Sequence, residues 1–432
     1  MLDPTEAGWL AKYLEIRREI SFDERINRIE NPERKYYACM HDSGFVFGHP
    51  IKLPVDLQVD ILQWPLKDRM KVIYAEAFYS ACRIFKPEEF KTEKGDSFLE
   101  KLIDFYAVYQ PALLKTPLIS FRKVSDPISK AEMIFDRRIT VKPQWNASFW
   151  RGFFHNILLF VDVLHFIEWL QNPNQEASRH LRGLGQSTRL EILKQIALSA
   201  SIDLQVNKQE QQLFLFFIES AELSKEKRQE AKNLLQQELS IQDLSRDLYS
   251  SWLWKKCLLE LSILTLWADR KISVTEETFL LELSQYIDLD EIEMHSSILS
   301  VESFVMNNWE RIHYLQEKQN FFILRKHLTA RMAKVVQKYS GEIAQEIRES
   351  KELVRLFQLS SERELSTTEK EKIRKQLFDI LKSIPAFVIF VLPFSFLTIP
   401  VLLKILPKSV FPSSFDPNRL NVKKRGNRTI DL

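Results

Sequence analysis

The sequence predicts an all-α protein: a multi-helical soluble body containing tandem helical repeats, followed by a C-terminal, proline-punctuated transmembrane or re-entrant segment. Three observations carry that expectation. Eleven prolines fall in residues 4–173, none in 174–384 and six in 385–417. Proline breaks helix interiors and glycine weakens them, and Gly341 alone stands between Gly185 and Gly426, so the proline-free middle reads as helix. That middle also repeats itself at an offset of 66 residues. Finally, Ile384–Leu403 runs without a charge between Lys382 and Lys404, the length a helix needs to cross the hydrocarbon core of a bilayer.

Composition narrows the class further. With 45% hydrophobic and 12% aromatic residues the chain can bury sizeable cores. A net charge of +3 is close to balanced and argues against a nucleic-acid polyanion, DNA above all, as the main partner. The basic excess is local: 404–432 holds seven Lys/Arg against Asp416 and Asp431. Cys39, Cys82 and Cys257 are too far apart for a disulfide framework or a metal cluster and suit a reducing compartment. The N-terminus is acidic from Asp3 and has no apolar core, so it resembles neither a secretory signal nor a transit peptide. The expected location is the inner (cytoplasmic) membrane, with the soluble body facing the cytoplasm.

In chain order, residues 1–185 read as an N-terminal, mostly helical domain. Pro50, Pro54 and Pro65 mark irregular connections, and Gly44–Gly48 marks a loop. Trp145–Leu170 is aromatic-rich, but Arg151, His155, Asp162 and Glu168 interrupt it, so a buried helix is expected rather than a second span. Residues 190–308 hold the repeats. Asp203, Val206 and Glu210 align with Asp269, Ile272 and Glu276; Leu213, Phe214, Phe217 and Leu223 align with Phe279, Leu280, Leu283 and Leu289. Residues 309–364 read as one long connecting helix, because Leu328, Met332, Val335, Tyr339, Ile343 and Ile347 step by three or four. That stripe suits packing on its own domain or a coiled coil with a partner. The membrane segment occupies 365–415, where Ser366 and Glu369 form a candidate capping box, and a basic tail fills 416–432.

Within each repeat an Asp in an inter-helix link precedes a Glu one turn into the next helix. Asp203 with Glu210, and Asp269 with Glu276, are therefore candidates to share a hard cation such as Ca²⁺ or Mg²⁺. The alternative is structural: the carboxylates stabilise the link and the positive helix N-terminus. No other cofactor is called for. The segment WADRKISVTEETFLLELSQYIDLD (267–290) resembles the core of the tellurite-resistance TerB-like family, with its A-D-G-x-I-x-x-x-E pattern. Ala268, Asp269, Ile272 and Glu276 match, and Arg270 replaces the glycine; the upstream copy has Ile202 in place of the alanine. The resemblance implies helical domains linked to stress responses and metal binding near membranes, without catalysis.

Residues 365–415 carry a second, more specific resemblance. Leu365, Ser366 and Glu369 are followed by Asp379 and Pro385, then Pro393-Phe394, Pro400-Val401, Leu403-Lys404, Pro407 and Pro412-Ser413-Ser414-Phe415. This spacing resembles the membrane signature of the leucine-zipper, EF-hand-containing transmembrane (Letm) family. The resemblance implies links to K⁺ or Ca²⁺ exchange for protons, and to ribosome binding through a domain expected after the span. Seventeen residues follow Phe415, so that domain is expected to be missing. The acidic residue of those relatives aligns with Phe396, which argues against autonomous transport. A helical TerB-like body with this segment resembles a bacterial group of Letm-related, biofilm-associated proteins.

Three prolines in twenty residues leave carbonyls that need partners, which a kinked single span or a hairpin near Pro393 would each supply; a buried soluble hairpin is the third solution. Lys/Arg flank both ends, which chooses no orientation for a span and mildly favours both ends being cytoplasmic. Lys423-Lys424-Arg425 suits anionic lipid headgroups. The expected partners are thus the bilayer, those headgroups, and a protein partner, the ribosome or a second copy of the chain.

Asp162, His165 and Glu168, with His155, have a spacing used in di-metal bundles, but no second carboxylate–His pair accompanies them, so a satisfied core histidine is expected. P-loop, G-x-G-x-x-G, H-E-x-x-H, C-x-x-C and G-x-S-x-G motifs are absent from the sequence. The expected function is non-enzymatic: a membrane-anchored scaffold or sensor tied to cation homeostasis or envelope and biofilm functions. The rivals are cation/proton exchange by an oligomer, with Asp379 and Lys404 at the membrane edges, and ribosome binding at the membrane.

Overall fold

The computed structural model describes residues 2–90, 96–115, 126–139, 158–172, 181, 184–202, 211, 214–215, 217–219, 221–267, 272–307, 318–383, 398–411 and 415. No strand occurs among them, in keeping with an all-α chain. Two units separate: Met1–Ser297 with Glu310–Tyr314, and Ile298–Trp309 with Leu315–Leu432.

The first unit begins with α1 (Trp9–Arg18) and α2 (Pro32–Ser43). Asn31 caps α2 by accepting the Arg34 N–H at 3.0 Å, with Pro32 in the first turn where its missing N–H costs nothing. Gly44, at φ 79°, ends it; a Cβ there would lie 2.3 Å from the His49 carbonyl oxygen. The proline-marked connection that follows is irregular as expected. It leads into α3 (Leu66–Phe85), which is buried on every side from Met70 to Cys82, the mark of a core helix. Around it pack α2, α4 (Asp96–Tyr109), α5 (Pro127–Arg138) and α6 (Leu159–Gln171). Glu76 of α3 is buried and meets the Arg17 guanidinium of α1 at 2.9 and 3.1 Å, with the Tyr13 and Ser80 hydroxyls completing its shell. The buried helix expected within Trp145–Leu170 is found in its described part, α6.

The unit continues with α7 (Leu184–Ala200), α8 (Lys225–Asn233), α9 (Trp252–Leu266), α10 (Val274–Tyr286) and the start of α11 (Glu291–Asn307). Here the 66-residue offset is visible in the backbone. Helices α7 and α9 end at Ala200 and Leu266, and α8 and α11 begin at Lys225 and Glu291, positions that correspond. Glu222 and Asp288 correspond too, and both are left-handed, at φ 49° and 55°. Ser224 and Asp290 then cap the next helices through the N–H groups of Lys227 and Glu293. Even an ion pair recurs: Arg189–Glu222 at 3.7 Å and Lys255–Asp288 at 3.6 Å. Phe214, Phe217 and Leu223 are buried like Leu280, Leu283 and Leu289; Leu213 lies outside the described residues. The duplicated helices α7 and α9 pack on each other, with Gln195 donating to the Leu258 carbonyl at 3.0 Å.

In the second unit the expected long helix is three: α12 (Lys318–Lys338), α13 (Ser340–Glu349) and α14 (Lys351–Glu362). The chain leaves the helical path at Ser350 (ψ 91°), whose hydroxyl accepts the Leu353 N–H at 3.3 Å and so starts α14. The apolar stripe misled because Leu328, Met332 and Val335 on α12 and Ile343 and Ile347 on α13 are all buried within this unit, on either side of the break at Tyr339. Two further helices complete it: α15 (Thr367–Ser383), against α13 and α14, and α16 (Ile399–Ile405), against α12 and α15.

Candidate functional site

The C-terminal segment begins at α15. Ser366 and Glu369 close the capping box: the Ser366 hydroxyl accepts the Glu369 N–H at 3.2 Å, and the Glu369 carboxylate accepts the Ser366 N–H at 2.8 Å. Arg363 adds a bidentate ion pair to Glu369 at 2.6 and 3.0 Å. Those bonds, Arg363 first and the Ser366 N–H second, pull the Glu369 carboxyl down to about 2. Its folded pKa lies below the unfolded value of about 4.3, so the stabilisation is complete above that value and drains away as pH falls toward 2. In thermal melts, Glu369→Gln should melt below the wild type at neutral pH and converge with it toward pH 2; a constant gap would refute the assignment.

Along α15, Leu365, Ile373, Leu377, Ile380 and Leu381 are buried, while Lys372, Lys375 and Asp379 face outward. Lys372 and Gln376 both reach Glu352 of α14, at 3.2 and 2.6 Å. Residues 384–397, with Pro385, Pro393, Phe394 and Phe396, lie outside the described residues. The chain is described again at Thr398, extended at ψ 158°, and Pro400 sits exposed in the first turn of α16. Val401, Leu402, Ile405 and Leu406 are buried, and Lys404 points out on the opposite face. After Pro407, the single turn Lys408–Val410 packs on α13. Phe411 and Phe415 then close on Phe357 of α14, with ring centroids 4.4 Å apart for Phe357–Phe415 and 4.8 Å for Phe411–Phe415. Pro412, Ser413 and Ser414 lie outside the described residues.

Residues 365–430 match the family model described as LETM1-like, RBD. Neither the curated proteins nor the solved structures yield a match. The LETM1-like match spans the segment singled out by its proline spacing and continues through the basic tail. It also corrects one expectation, since the part the model calls RBD covers the segment itself rather than only what would follow Phe415. Most of the described signature positions serve the fold of the second unit: Leu365 and Phe415 are core, Ser366 and Glu369 are caps, and Pro400 starts a helix. No described helix is long and apolar enough to cross a membrane. Because Phe415 fills an aromatic cluster, Phe415→Ala should cost the second unit about 3 kcal/mol, read from urea unfolding; a loss under about 1 kcal/mol would contradict this packing.

The repeat carboxylates behave differently from the segment. Glu276 is 2% exposed and closes a capping box at the start of α10, accepting the Ser273 N–H at 2.6 Å. This is the structural role weighed against metal binding. Asp203, Glu210 and Asp269 lie outside the described residues.

In α6 the three candidate residues do not converge on one site. His165 lies 3.5 Å from Glu168 and against the Trp254 ring, and Glu168 accepts from Ser250 and the Trp254 indole at 2.7 and 2.8 Å. Asp162, fully buried, accepts from Arg138 at 2.5 Å, from Arg189, and from the Tyr74 and Tyr109 hydroxyls at 2.9 and 3.1 Å. Burial alone would raise its pKa; the two guanidiniums outweigh burial and hold it well below the usual carboxylate range. No group of three or more His, Cys, Asp or Glu positioned for a metal occurs among the described residues, and His155 lies outside them. Sequence reasoning missed Arg138, Arg189 and Glu222, although the Arg189/Lys255 and Glu222/Asp288 correspondence was present at the 66-residue offset.

Proposed function

We propose that the protein is a non-enzymatic helical scaffold at the inner membrane, and that its C-terminal unit engages the ribosome from the cytoplasmic side. The observation that carries this reading is the LETM1-like, RBD match at 365–430, RBD denoting a ribosome-binding domain. Charge distribution supports it. Residues 318–432 hold 22 Lys/Arg against 11 Asp/Glu, while the rest of the chain holds 39 against 47, so a near-neutral protein carries one strongly basic unit. Such a unit suits a polyanion such as ribosomal RNA, with anionic headgroups as a second surface for the tail.

For the membrane, the reading rests on the uncharged run Ile384–Leu403 of the sequence, whose last residues enter α16, where Val401 and Leu402 are buried. A kinked single span and a re-entrant hairpin near Pro393 are the two forms such an element can take. The LETM1-like match also keeps cation homeostasis as a second reading, an oligomer with Asp379 and Lys404 beside the path. Flux across vesicles carrying the protein tests that one.

Purified protein should co-sediment with ribosomes at low salt and leave them as salt rises; absence of co-sedimentation at low salt removes the ribosome reading. Alkaline carbonate extraction tests the membrane element. Val388→Lys with Val391→Lys should wash off where the wild type stays in the pellet. Truncation at Ser383 is a poorer comparison, because it also strips α16 and Phe415 from the second unit's core.

A further inference from the structure

The Arg138–Arg189–Asp162 cluster of the first unit is asymmetric in a way that points to a ligand. Asp162 neutralises one of the two guanidiniums, and Glu222 neutralises the other, accepting from Arg138 at 2.7 Å. Side-chain exposure is 0% for Asp162, 2% for Arg138 and 4% for Arg189, but 33% for Glu222. The one member that touches solvent is therefore a carboxylate lying over two buried arginines. Arg189 also buries its Nε without a hydrogen-bond partner, so Asp162, Glu222 and the Ala221 carbonyl do not satisfy all of its donors.

The repeat supplies the comparison. Its second copy keeps the same ion pair as Lys255–Asp288, with Asp288 81% exposed. The first copy has an arginine in place of that lysine and sets a second arginine beside it. A cap-to-helix ion pair needs one point charge; two planar forks converging under one carboxylate make a receptor for carboxylate or phosphate geometry.

We propose that Arg138 and Arg189 form a binding site for a small oxyanion, a carboxylate or phosphate group, which the Glu222 carboxylate fills in this structure. Ligand entry exchanges one oxyanion for another and needs only the Glu222 side chain to swing toward solvent, since Ala221 and Leu223 on either side are buried and hold the turn.

The test uses the full chain carrying Glu222→Gly, a substitution that suits φ 49° and removes the internal carboxylate without straining the turn. Calorimetric titration in chloride buffer with inorganic phosphate, and separately with acetate, should show one oxyanion per chain, bound about tenfold or more tighter than by the wild type. Tighter binding of acetate alone assigns a carboxylate ligand; tighter binding of phosphate assigns a phosphate group. Glu222→Gln serves the same purpose if the glycine variant loses its cooperative melt. Adding Arg189→Lys keeps the charge but removes the fork, and should weaken the gained binding about tenfold. A folded Glu222→Gly or Glu222→Gln protein that binds neither anion more tightly than the wild type overturns the proposal. So does a double variant that binds as well as the single one.

Discussion

Asp162→Ala should abolish cooperative folding of the first unit, or lower its stability by about 3–5 kcal/mol. The substitution leaves two buried guanidiniums with Glu222 as their one remaining carboxylate, and removes the acceptor of the Tyr74 and Tyr109 hydroxyls. Tyr74 keeps the Tyr106 hydroxyl at 2.7 Å, but the stranded Tyr109 hydroxyl adds about 1 kcal/mol or more, against a total stability of about 5–15 kcal/mol for a typical domain. Asp162→Asn should cost less, since the amide keeps the shape and one acceptor. Pairing Asp162→Ala with Arg138→Met should recover part of the loss, because it removes the uncompensated charge and leaves Arg189 with Glu222. Urea unfolding followed by tryptophan emission reads these effects. A loss under about 1 kcal/mol for Asp162→Ala would mean that water, not the two arginines, surrounds this carboxylate.

The second large effect falls on ribosome binding. A protein that neutralises about six to ten phosphates loses roughly a thousandfold or more in affinity between about 50 and 200 mM salt. Lys404 and Lys408 are exposed on the second unit, and Lys423 and Lys424 follow in the basic tail. Replacing these four by Gln should weaken ribosome binding by more than about tenfold at low salt, and should flatten the salt dependence by roughly 0.7–0.9 in slope for each phosphate left without its lysine. Replacing Lys67 and Lys225, exposed on the first unit, should change neither quantity. Equal losses from both sets would point to general charge attraction rather than recognition by the basic unit.

How much of this was legible in the sequence differs by element. Proline and glycine placement announced helices because those residues act locally, on the backbone that carries them. The repeat was legible for the same reason and proved deeper than its apolar register: the left-handed Glu222 and Asp288, the caps Ser224 and Asp290 and the paired ion bridges all recur. The breaks at Tyr339 and Ser350 were not legible: the apolar stripe continues across Tyr339 because two helices share one core, and the Ser350 capping hydroxyl looks like that of any serine. The partners of Asp162 were not legible either. Arg138 and Arg189 lie 24 and 27 residues away in sequence, and only the packing of α5, α6 and α7 brings them together. In the LETM1-like segment the proline spacing marked the right residues, but it could not reveal that Val401, Leu402, Ile405 and Phe415 spend their apolar surface on α12, α14 and α15.

Cross-linking mass spectrometry on ribosome pellets containing the full chain tests most directly whether the basic unit is the part that meets the ribosome. With a lysine-reactive reagent at low salt, Lys326, Lys334, Lys404 and Lys408, all exposed, should link to ribosomal proteins and lose those links as salt rises. Links confined to lysines of the first unit such as Lys67 and Lys225, or no links at all from a pellet that holds the protein, would contradict the assignment.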